Sequence, residues 1–237
     1  MLADHEGNRS SDGALDTNLH LPQGWQATFL EFVSALLQQW RDDPARPQAT
    51  AETKLSAQLC AKLASAFRHG PWDFMQVRRE EPDETLANRS IDIAVAAAGA
   101  TIIVEGRRYN EYATLLPIEC KRLPTPAGHE RDEREYLYSQ FKSTGGVQRF
   151  KCGHHAAQHS RAAMIGYVQA PDISSWASAL NNWIDDLAKA GEAGWSASDK
   201  LQLDAHDLAG RLGRLTSRHV RDKGLEPIEI SHLWVEM

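Results

Sequence analysis

The sequence predicts an α/β domain, and three features predict it. Two early stretches carry apolar residues at helical spacing, a middle block turns to short strand-like runs broken by glycine and proline, and a continuous apolar run is followed by another amphipathic helix. At 237 residues the chain suits one domain with a sizeable core. Residues 1–20 are rich in Asp, Asn, Ser and Gly without periodicity, which predicts a disordered or loosely attached tail and leaves 21–237 as the domain.

From Gly24 to Trp40, the residues Trp25, Phe29, Phe32, Val33, Leu36, Leu37 and Trp40 recur on one helical face. Pro44 and Pro47 mark a linker. A second helix follows, with Leu55, Leu59, Leu63 and Phe67 in an i, i+4 stripe that stops near His69-Gly70-Pro71.

The period then changes. Trp72–Arg79 and Ile91–Ala97 read as strands separated by the acidic, turn-prone Glu80–Glu84 segment. Thr101–Glu105 is expected to follow the Gly99-Ala100 turn, and Leu115–Lys121 to close a meander. After Pro124 and Pro126, Glu130–Phe141 is charged and helix-prone, and Val147–Lys151 resumes it beyond Gly145-Gly146, giving a broken helix. Ala162–Val168 is a continuous apolar run expected at the sheet's centre, and Ser174–Lys189 a covering helix with Asp172 or Ser174 as its N-cap. Arg211–Arg221 and Ile228–Val235 read as a terminal β-hairpin.

Composition narrows the classes. No apolar run reaches the roughly 20 residues of a membrane span, and no basic n-region precedes an apolar core, so a cytoplasmic location without membrane contact is expected. Cys60, Cys120 and Cys152 are too few for a disulfide framework. The net charge of −6 argues against a nonspecific nucleic-acid coat, yet from Lys121 to Arg161 eight basic side chains face four acidic ones. Gly-rich phosphate loops and Gly-x-Ser-x-Gly elbows are absent. His154, His155 and His159 lack the intervening Glu and the third ligand of a zinc site, which favours an exposed or nucleic-acid-facing loop.

The chemistry is concentrated in Leu116–Arg122. Along that strand Ile118 and Cys120 face one side while Glu119 and Lys121 share the other. In Ile91–Val95, Asp92 is likewise set opposite its apolar neighbours. Side by side, the two strands would offer paired carboxylates for a hard cation and an ammonium for a phosphate oxygen. The bland alternative is an ordinary edge-strand ion pair.

The order helix, strand, strand, strand with Glu-x-Lys, helix, strand resembles the PD-(D/E)XK nuclease superfamily over about Thr50–Val168. That resemblance implies a restriction-endonuclease-like mixed central sheet flanked by helices, with the core at about 50–170. It implies Asp92, Glu119 and Lys121 as catalytic residues, and Mg2+ or Mn2+ held by Asp92, Glu119, the backbone carbonyl of Cys120 and Glu52 of the second helix. A Glu in a first helical turn is also favoured by the macrodipole alone.

Gln140, Lys142, Gln148 and Arg149 follow the motif where superfamily members place residues on the scissile phosphate. The implied function is a metal-dependent phosphodiesterase, endonuclease or exonuclease, cleaving nucleic acid with DNA preferred to RNA. As a fold-level analogy, it would be the effector of a bacterial restriction or anti-phage system targeted by a partner protein or a dimer mate. The alternative is a nuclease-fold module that binds nucleic acid or a partner without cutting.

Overall fold

The structure, a computed structural model, describes residues 18–83, 89–141, 145–192, 194–221 and 224–237. Helices α1 (Trp25–Arg41) and α2 (Glu52–Arg68) come first. The expected stripes explain both: Phe29, Val33, Leu37 and Trp40 of α1 are buried, as are Leu55, Leu59, Leu63 and Phe67 of α2. The main sheet contains β2 (Met75–Pro82), β3 (Ser90–Ala97), β6 (Leu116–Leu123), β7 (Arg161–Val168), β8 (Gln202–Asp207), β9 (Leu212–His219) and β10 (Ile228–Glu236). Its seven strands run in the order β2-β3-β6-β7-β10-β9-β8. The pairs β6–β7 and β7–β10 are parallel and the rest antiparallel. Helices α1 and α2 cover one face. Helices α3 (Gly146–Lys151) and α4 (Ile173–Lys189) cover the other, the latter capped by Asp172, which accepts the Ser175 N–H at 2.7 Å.

Several expectations need correction. Residues 18–20 are strand β1 (Asn18–His20), which pairs with β4 (Thr101–Val104) and, through it, β5 (Arg107–Tyr109) in a separate three-stranded sheet. Thr101–Val104 therefore leaves the expected meander, and β6 lies directly beside β3. The Glu105-Gly106 turn, with positive φ values of 50° and 80°, folds β4 back on β5 as a tight hairpin. Strand β2 runs into the acidic segment read as a turn, passing Glu80 with φ 52°.

Glu130–Phe141 is not helical. The Asp132 carboxylate accepts the backbone N–H groups of Arg134 and Gln140 as well as the Arg134 guanidinium, offering local partners that compete with a helix. The carbonyls of Glu135, Tyr136 and Leu137 then accept the N–H groups of Gly146, Val147 and Gln148 and so satisfy the start of α3. Strand β8 has no sequence signal of its own and is held by β9. The terminal hairpin exists as β9–β10, but β10 also pairs with β7 and so belongs to the sheet's interior.

A chain of buried polar groups threads the core beside α4. Trp234 Nε1 donates to the Tyr136 hydroxyl (2.7 Å), which meets His232 Nδ1 (2.8 Å). His232 Nε2 meets Ser217 Oγ (2.8 Å), Ser217 Oγ meets His219 Nε2 (2.7 Å), and His219 Nδ1 meets Asp199 (2.7 Å), which also binds Lys151. Since Trp234 can only donate and ionised Asp199 can only accept, every member is satisfied when both imidazoles are neutral and protonated on the nitrogen facing Asp199 along the chain.

Candidate active site

Strand β6 places the site. Ile118 and Cys120 pack into the core under α1 and α2, while Glu119 and Lys121 point to the α3 side. Pairing with β7 continues to Leu123, but pairing with β3 covers only Leu116–Ile118. Beyond Ile118 the two strands part, and Asp92 fills the gap: its Oδ2 accepts the Cys120 N–H at 2.7 Å.

Glu119 is completely buried. Its Oε1 receives Arg149 at 2.6 Å and lies 3.1 Å from Lys121 Nζ. Its Oε2 stands 3.4 Å from His155 Nδ1, and both atoms are buried without a hydrogen bond of good geometry. Lys121 Nζ also donates to Glu52 Oε1 at 3.2 Å, and Glu52 Oε2 accepts the Arg122 N–H at 2.9 Å. Three carboxylates thus surround one ammonium, with Arg149 closing one side.

Electrostatics separate the two strand carboxylates. Burial, then the charge of Glu119, push Asp92 up to about 7. Burial also opposes ionisation of Glu119, but Lys121, His155 and Arg149 together hold it well below the usual carboxylate range. Burial works against the charge of Lys121, yet Glu119, Glu52 and Asp92 outweigh it and raise its pKa above that of a free lysine.

Of the sequence candidates, Asp92, Glu119, Lys121, Glu52 and Arg149 are brought together. Cys120 joins through its backbone N–H. Gln148 is not directed at this site: its Oε1 accepts the N–H groups of Ser139 (3.2 Å) and Gly145 (3.3 Å), so it ties off the start of α3. Gln140 lies in a separate depression with Asp132, Arg134 and Trp183. Lys142 falls outside the described residues. Sequence reasoning missed His155, which sat in the histidine cluster set aside as exposed but is buried against Glu119. Nothing local signalled this: His155 lies four residues beyond the end of α3, and its burial depends on how that loop returns to β6.

No protein-family profile, curated protein or solved structure matches the chain. What the site can do therefore rests on its own chemistry.

Among the described residues, no three His, Cys, Asp or Glu side chains are close enough to grip an ion unaided. Mg2+ needs only one or two carboxylates and completes its shell with water and phosphate oxygens. Asp92 and Glu119 meet that need. The raised Asp92 marks a carboxylate short of positive charge, and Glu119 Oε2 has no hydrogen bond beside its 3.4 Å contact with His155 Nδ1. The donor set therefore fits a hard divalent cation.

Proposed function

We propose that this protein is a metal-dependent phosphodiesterase of the restriction-endonuclease-like kind, cleaving nucleic acid, with DNA preferred to RNA. The observation that carries the reading is the convergence of Asp92 and Glu119 from two diverging strands, with Lys121 beside them and Glu119 Oε2 left without a hydrogen bond. A divalent cation bound by the two carboxylates would supply Lewis acidity at a phosphodiester oxygen. Lys121, held protonated by Glu119 and Glu52, would stabilise the charge that develops on the phosphoryl group. Glu52 fixes the Lys121 ammonium, and His155 backs the buried oxygen of Glu119. Arg149, which donates to Glu119 at 2.6 Å, would exchange that carboxylate for a substrate phosphate.

A second reading has an observation in its favour. Glu119 Oε1 is already met by both Arg149 and Lys121, an arrangement that also suits a nuclease-fold module binding nucleic acid or a partner without cutting. Targeting by a partner or dimer mate, as in restriction and anti-phage effectors, belongs to the proposal on either reading.

The deciding experiment incubates the purified chain with plasmid, linear and single-stranded DNA and with RNA, in Mg2+, Mn2+ or chelator, beside Glu119→Ala and Lys121→Ala. Cation-dependent cleavage lost in both variants is expected. Cleavage that survives both removes the assigned site. Binding without cleavage under every condition favours the second reading.

A further inference from the structure

The sheet face under α1 and α2 is only partly filled. Leu233 and Val235 of β10 pack beneath α1, but the earlier residues of β10 on that face, Glu229 and Ser231, pass beyond the start of the helix. Their cross-strand partners are Arg161 on β7 and Thr216 on β9, and Arg214 follows on β9. With Gln26 and Leu30 of α1, these residues line a cavity of about 390 Å3. A second cavity of about 250 Å3 adjoins it, sharing Gln26 and Arg161. Both lie on the face opposite Glu119 and Lys121.

The chemistry of this cavity is not that of an unfilled core. Helix α1 opens into it with Gly24 as N-cap, no side-chain cap and no acidic residue in its first turn, although the Trp25 and Ala27 N–H groups are met by the Pro22 and Gly24 carbonyls. Gln26 is only 7% exposed, yet its amide makes no hydrogen bond to any described residue. Beside it, Trp25 Nε1 is buried without a partner at the edge of the adjoining cavity. Buried donors without acceptors signal a missing polar occupant.

Arg161 and Arg214 make only loose contacts, at 3.6 Å to Glu105 and 3.4 Å to Glu31. Each therefore keeps donors free for an anion. Two carboxylates, Asp204 and Glu229, also line the space; Glu229 stands between Arg161 and Arg218 in register, which offsets its charge. Leu30 and Leu233 supply an apolar wall.

We infer that this cavity binds a small organic phosphate of nucleoside monophosphate size, with the phosphate at Arg161, Arg214 and the start of α1. Its body lies against Leu30 and Leu233, and the hydroxyls of Ser231 and Thr216 meet its polar edge. The volume lies within the range of small-molecule sites. The inference does not depend on phosphodiesterase activity.

Titration calorimetry of the full chain in chelator tests it, using AMP, GMP, CMP and UMP as probes beside adenosine. Saturable one-site binding of at least one monophosphate is expected, with adenosine at least tenfold weaker than AMP if AMP is the ligand. Arg214→Met and Arg161→Met should each weaken binding about tenfold, the size of one lost charge-assisted contact. Arg214 is half exposed at the surface, so its variant is not expected to disturb folding. Failure of all four monophosphates, adenosine binding as tightly as AMP, or unchanged binding in both arginine variants would each overturn the assignment.

Discussion

Asp92 Oδ2 accepts the Cys120 N–H at 2.7 Å, so a carboxylate raised to about 7 is tied into the backbone where β3 and β6 part. An acid whose pKa is raised on folding holds its proton longer in the folded chain. Between about pH 4 and 7 the folded state therefore binds more protons, and stability falls as pH rises through that window. In chelator, Asp92→Asn keeps a carbonyl for Cys120 and removes the charge. It should be more stable than the parent at pH 8 by an amount on the order of a few kcal/mol and equal to it at pH 4. Urea melts at the two pH values measure this, and equal stability at pH 8 would contradict the raised pKa.

Cation binding should be visible without any substrate. A ligand bound only by the folded state adds about 2.7 kcal/mol at one hundred times its Kd, a rise in Tm of roughly 5–10 °C for a chain of this size. Mg2+ or Mn2+ should raise the Tm of the parent and leave those of Asp92→Ala and Glu119→Ala unmoved. A similar rise in all three proteins would place the cation elsewhere.

The buried chain from Trp234 to Asp199 predicts a second pH effect of opposite sign. Burial, then the nearby His219, lower His232 to about 3, and burial lowers His219 despite its bond to Asp199. The unfolded chain takes up these protons first as pH falls below about 6.5, so stability is lost from there towards pH 3. Asp92 opposes that loss in the parent, which makes the acid limb of Asp92→Asn the steeper one. Ser217→Ala should cost about 2–5 kcal/mol at pH 7 by stranding a nitrogen on each histidine, read as a shift of the urea midpoint.

Gly145 tests how tightly the segment before α3 is seated. A Cβ there would stand 2.4 Å from Tyr138 Cα and 2.7 Å from the Leu137 carbonyl, both backbone. Gly145→Ala should lower stability by roughly 3 kcal/mol or more, since the carbonyls that cap α3 must move. A melting temperature within a degree of the parent's would show that the segment yields freely.

The elements legible in the sequence were those with a strong period and a buried face. Trp25 to Trp40, Leu55 to Phe67 and Trp176 to Leu187 form the expected helices, and Ala162 to Val168 lies between two strands as its unbroken apolar run implied. Where partners far along the chain decide the conformation, the sequence misled. Glu130–Phe141 has helix-forming residues, but Asp132 and the N–H groups of residues 146–148 draw its backbone elsewhere. Thr101–Val104 is strand-like in composition, and nothing local says which sheet it joins.

The candidate site divides in the same way. Alternation along β3 and β6 brings Asp92, Glu119 and Lys121 together, and a first-turn glutamate one helix away reaches them. His155 was out of reach because its burial depends on how the loop after α3 returns to β6. Gln148 looked available for phosphate, yet the carbonyl oxygen of its amide is spent on the backbone of Ser139 and Gly145.

The placement of β10 bears on how the chain folds. Strands β8 and β9 are joined to the rest of the large sheet only through Ile228–Glu236, which is made after both of them. During synthesis, β7 must therefore wait with an unpaired edge, apolar on both faces, until the ribosome has passed residue 236. Completion is a long-range event of slow topology, and the interval before it is when this protein is most exposed to aggregation.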